Sequence, residues 1–96
     1  MLTLSEVSEA MKELKDWSLE IDSISKVLSF GNFKESLAFV NKVGEVAERL
    51  NHHPDILISF NQVRLVVTTH DEQGLTRKDF ELAKEIDKIE IKDAQI

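Results

Sequence analysis

The chain contains no cysteine. A disulfide, a thiolate nucleophile and a cysteine-type zinc site are all excluded. No apolar run approaches the roughly 20 residues of a membrane-spanning helix. The segment Met1-Leu2-Thr3-Leu4-Ser5-Glu6 lacks the basic stretch and following apolar run of a secretory signal. Basic residues are outnumbered, with 12 Lys and Arg against 18 Asp and Glu, a formal charge of −6. Nucleic acid and anionic membranes both select basic surfaces, so neither is an expected partner. GxSxG, Walker and dinucleotide-binding patterns are also missing. These absences lead to the expectation of a cytoplasmic protein.

What is present suits one globular domain over residues 1–96: 42% hydrophobic and 31% charged residues. A chain this short buries roughly 60–70% of the surface its unfolded form exposes. Its own core is modest, and association with a second copy would add to it.

Thr3-Leu4-Ser5-Glu6 fits a capping box. Leu4, Val7, Met11 and Leu14 follow at helical spacing, which predicts a helix ending near Lys15-Asp16. Trp17, Leu19 and Ile21 alternate with polar residues, and Ser25 to Phe30 reads as a second strand after a turn at Asp22-Ser23. Asn32-Phe33-Lys34-Glu35 starts a second helix. Phe33, Leu37, Val40, Gly44 and Ala47 form one apolar stripe on it, and Phe39, Val43, Val46 and Leu50 a neighbouring one. A face that broad can meet both its own sheet and another subunit. Asn51 and Pro54 end the helix. Ile56 to Phe60, a turn at Asn61-Gln62, and the β-branched run Val63 to Thr69 predict a second hairpin. After Gly74, Thr76-Arg77-Lys78-Asp79 forms a third capping box. Phe80, Leu82, Ala83, Ile86 and Ile89 mark a last helix, with a frayed tail at Asp93 to Ile96. The order α-β-β-α-β-β-α predicts an α+β two-layer fold, with three helices on one face of a four-stranded antiparallel sheet.

All three histidines lie between His52 and His70. Histidine both gives and takes protons near neutral pH, so these imidazoles form a candidate acid/base site. Each residue also has a simpler reading. His52 and His53 follow a helix C-terminus, where the dipole favours a cation and they could merely cap carbonyls. By period-two alternation His70 shares a strand face with Arg64, Val66 and Thr68, and could be a half-buried strand-end residue. Glu48 lies four residues before His52, on the same helix face, and could orient it or stand in solvent beside Arg49. Asp79 is explained by the capping box alone. Metal binding is not expected, because adjacent histidines diverge and the spacing matches no helical HxxxH arrangement.

Glu48-Arg49-Leu50-Asn51-His52-His53-Pro54-Asp55, then Thr68-Thr69-His70, then Gly74-Leu75-Thr76 and Asp79, closely resemble the pterin-4a-carbinolamine dehydratase family. The resemblance extends from about Glu48 to Ile86, and the preceding hairpin and helix fit the family's layout. It implies removal of water from a 4a-hydroxytetrahydropterin, giving the quinonoid dihydropterin. That step regenerates the cofactor spent by aromatic amino-acid hydroxylases, with no metal or organic cofactor. It further implies that His52 and His70 are the main acid/base groups and that His53 assists. Glu48, Asp79, Pro54 and Thr69 would then be supporting, substrate-binding residues. A homodimer or homotetramer is implied as well. The chain departs from the family pattern at Ile56, where an aromatic residue, typically Trp, is common and would stack on the substrate. Competing readings are a non-catalytic binding or assembly protein on the same scaffold and a pterin-handling role in molybdopterin metabolism. An intact set of His52, His53, His70 and Asp79 favours the enzyme over a protein that only binds partners.

Overall fold

The computed structural model describes residues 1–91. The expected frayed tail at Asp93 to Ile96 lies outside the described residues.

Helix α1 (Leu4–Met11) starts at Thr3. The Thr3 hydroxyl accepts the Glu6 N–H, and the Glu6 carboxylate accepts the Thr3 N–H. That backbone donor holds the Glu6 carboxyl below its usual range. The helix stops earlier than the expected Lys15-Asp16. The N–H groups of Glu13 and Leu14 reach back only three residues, to Ala10 and Met11. Asp16 then takes a left-handed conformation, φ 61°, which redirects the chain.

Strand β1 (Ser18–Leu19) is much shorter than the expected run from Trp17 to Ile21. The Glu20 N–H bonds to the Ser23 carbonyl and closes a turn. Leu19 and Ile21 consequently stand in solvent, 50% and 103% exposed. The alternation continues to Ile21, but the turn begins at Glu20, directly after the Leu19–Ile24 pair, and takes the last of it out of the sheet. Strand β2 (Ile24–Ser29) follows.

Helix α2 (Phe33–Leu50) is capped by Asn32, whose side chain accepts the Glu35 N–H. It ends where expected, with Asn51 left-handed at φ 52°. Strands β3 (Asp55–Ser59) and β4 (Gln62–Val67) make a hairpin with Phe60 and Asn61 at its tip, one residue earlier than the sequence suggests. Phe60 occupies the positive-φ position, at 50°. β4 stops at Val67, short of the expected Thr69. Helix α3 (Arg77–Asp87) begins at the Thr76 capping box.

The sheet order is β1-β2-β4-β3, antiparallel throughout. Register aligns Ile24 with Val67, Leu28 with Val63, and Ile56 with Leu65. Opposed residues share a face, so this set points one way, onto the helices. Phe39, Val43 and Val46 of α2 and Phe80, Leu82, Ala83 and Ile86 of α3 complete the core. The first α2 stripe is only partly used: Phe33 and Leu37 remain exposed.

Candidate active site

Asn51 turns the chain out of α2, and the His52 N–H then bonds back to the Ala47 carbonyl. This closure fixes the His52 backbone at the mouth of the core. Its side chain is 13% exposed, and Nε2 lies 2.6 Å from Oδ1 of Asp79. Asp79 is completely buried on the first turn of α3. Its second oxygen, Oδ2, accepts two further hydrogen bonds, from the Thr76 N–H at 2.9 Å and the Thr69 hydroxyl at 2.8 Å. The Thr69 and Thr76 hydroxyls also bond to each other at 2.8 Å. One carboxylate thus ties the end of α2, the end of the β4 segment and the start of α3 into a single unit.

The capping-box reading of Asp79 is correct, and it is incomplete. A box needs only one carboxylate oxygen, which leaves the other free for a distant partner. The sequence marks Thr76 only as a helix cap, and no spacing links its hydroxyl to Thr69. Thr69 itself is buried with its hydroxyl turned inward to Asp79 and Thr76.

His53 and Glu48 form a second pair on the surface, with Nε2 2.5 Å from Oε2. Their side chains are 55% and 79% exposed. Glu48 therefore meets His53 rather than His52, correcting the helical-spacing expectation. The helix ends at Leu50, so the i,i+4 geometry does not extend to residue 52. Pro54 lies half-buried between this pair and β3.

His70 also departs from its expected setting. β4 ends at Val67, and Thr69 bridges to Gly74 instead. His70 opens a short 3₁₀ turn (His70–Glu72) and is exposed, so strand alternation no longer sets its direction. Its imidazole makes no hydrogen bond or ion pair among the described residues. It is joined to the rest of the site through the backbone, directly after Thr69. Ile56 lies half-buried on the inner sheet face, packed against the core.

A two-layer α+β domain carrying a histidine on a buried, hydrogen-bonded carboxylate is the class that these elements define. The family model described as pterin 4 alpha carbinolamine dehydratase matches residues 1–89, and the chain belongs to that family. A relative from Sulfurisphaera tokodaii, provisionally named a pterin-4-alpha-carbinolamine dehydratase, is 46% identical over 92% of this chain and 95% of its own length. One from Chloroflexus aurantiacus with the same provisional name is 48% identical over the same shares. Among solved structures, a transcriptional coactivator/pterin dehydratase from Brucella melitensis superposes with a TM-score of 0.84. It is 31% identical over 88% of this chain and 93% of that one. A pterin dehydratase-like RuBisCO assembly factor of the alpha-carboxysome shares the fold, with a TM-score of 0.65, at 17% identity over 78% of this chain and 89% of that one. No helix among the described residues is long and apolar enough to cross a membrane.

Proposed function

We propose that the chain dehydrates a 4a-hydroxytetrahydropterin to the quinonoid dihydropterin and water, and so returns an oxidised pterin cofactor to use. The observation that carries this reading is the His52–Asp79 pair, set within the residues that the family model matches.

The chemistry requires two proton transfers. A general acid protonates the hydroxyl on C4a, and the C–O bond breaks with water as the leaving group. A general base takes a proton from a ring nitrogen, and the electron pair of that N–H bond completes the quinonoid system. Charge and atoms balance without a metal or organic cofactor. His52 and His70 supply the two groups. His53, steadied by Glu48, shapes the binding side, with Pro54 fixing the backbone that aims it. Ile56 offers an aliphatic contact where an aromatic residue would stack.

His52→Ala and His70→Ala are each expected to lower the dehydration rate by about 10²–10⁴-fold, the range of a lost general acid or base. His53→Ala should raise KM more than it lowers kcat. The assay follows water loss from chemically generated 4a-hydroxytetrahydropterin. Near-wild-type rates in both folded His52→Ala and His70→Ala would remove the assignment.

A further inference from the structure

We propose that Thr69 and Thr76 are positioning residues: they set a directed hydrogen-bond chain through Asp79 that keeps the His52 proton on Nε2, so that Nδ1 is the atom that takes a proton in the reaction. The catalytic half of this statement rests on the dehydratase reading above. The structural half does not.

The direction follows from counting hydrogens. A hydroxyl has one hydrogen, and a carboxylate only accepts. The Thr69 hydrogen goes to Asp79 Oδ2, so in the Thr69–Thr76 contact the donor is Thr76. The Thr76 oxygen accepts in turn from the Lys78 N–H at 3.3 Å. Oδ2 therefore receives two donors, the Thr69 hydroxyl and the Thr76 N–H. Oδ1 is left for the imidazole. Because Asp79 is fully buried, no water competes for that oxygen.

His52 Nε2 must then be the donor. A neutral imidazole carries one N–H and one lone pair, so the lone pair sits on Nδ1. Nδ1 has no hydrogen-bond partner among the described residues. No buried side-chain nitrogen or oxygen among them lacks a partner, so Nδ1 reaches the surface. The site thus presents a fixed base at one atom. The threonines act through Asp79: they hold the carboxylate that holds the ring.

The test reads the His52 tautomer by nitrogen NMR of ¹⁵N-labelled protein, at a pH where the ring is neutral. The wild-type chain should carry the proton on Nε2. In Asp79→Asn, the Thr69 hydroxyl and Thr76 N–H still demand an acceptor at the Oδ2 position. The amide oxygen will occupy it, and the amide NH₂ will face His52. Nε2 must then accept, and the proton should move to Nδ1. The dehydration rate should fall about 10²–10⁴-fold, as expected when a base is held in the wrong tautomer. Thr69→Val should speed exchange of the His52 Nε2–H with water, and Thr69→Ser should restore its protection. A wild-type Nδ1–H tautomer would overturn the proposal. So would Asp79→Asn keeping Nε2–H, or unchanged exchange in Thr69→Val. The first two readings need no Thr69 variant. The tautomer is measured without substrate, so an inactive wild-type protein would refute the dehydratase reading together with the catalytic half of this one, while the spectra alone decide the structural half.

Discussion

The Asp79 carboxylate has no exposed surface, so each of its oxygens needs a donor inside the fold. The local donor, the Thr76 N–H three residues away, is legible in the sequence because a capping box is a spacing rule. His52, 27 residues away, is not. It arrives only because α2 ends at Asn51 and α3 packs beside it. The same limit explains Glu48. Helical spacing assigned it to His52, but a left-handed residue between them hands it to His53. These pairings bear on metal chemistry as well. His52 and His53 each commit Nε2 to a carboxylate. Zinc needs imidazole lone pairs converging at about 2.0–2.1 Å, and two adjacent residues aimed at different carboxylates do not converge. We expect purified protein to be free of stoichiometric zinc and EDTA to leave its dehydration rate unchanged. Elemental analysis showing one zinc per chain, with activity lost on chelation, would refute the acid/base mechanism.

The elements that the sequence specified best were those whose ends carry their own chemistry. Thr3, Asn32 and Thr76 start the three helices as their side chains require, and Asn51 stops α2. β1 is legible as alternation yet folds as only two residues, because the turn closed by Glu20 and Ser23 starts earlier than the alternation implies. What secures that corner is a contact no periodicity reveals. Asp87, at the end of α3, accepts from Trp17 Nε1 at 2.9 Å, Lys26 Nζ at 2.8 Å and the Lys15 N–H at 2.9 Å. Lys26 also lies over the Trp17 ring, 5.8 Å from its centroid. The Lys26 and Asp87 side chains are only 13% and 6% exposed. Removing one member of a buried ion pair strands the other charge, at a cost of about 3–5 kcal/mol. Asp87→Ala should therefore lower the unfolding free energy read from urea titration by that much, with a lower midpoint at unchanged slope, and loosen Trp17, readable in its fluorescence. A change below ~0.5 kcal/mol, typical of surface substitutions, would show that α3 does not depend on this latch.

At the scale of the molecule, the alternation of hairpins and helices was enough to predict two layers, because a sheet with one apolar face needs a helical cover. It did not say which α2 stripe provides it. Phe39, Val43 and Val46 took that role, and Phe33, Leu37, Val40 and Gly44 were left at the margin, with Phe33 45% and Leu37 39% exposed. A small domain gains by burying such a stripe against a copy of itself. We expect a homodimer or homotetramer, so light scattering at micromolar concentration should give a multiple of the 11.0 kDa chain mass. Gly44 supplies the sharper check. A Cβ added there meets nothing within 4 Å in the single chain. On intrinsic grounds Gly44→Ala should therefore stabilise α2 by about 0.5–1 kcal/mol. If this stripe is where copies meet closely, the same methyl group will weaken the assembly while the dilute chain unfolds at a higher temperature. Leu37→Glu should dissociate it outright. A wild-type monomer in light scattering, or an assembly indifferent to both substitutions, would show that the stripe is simply exposed.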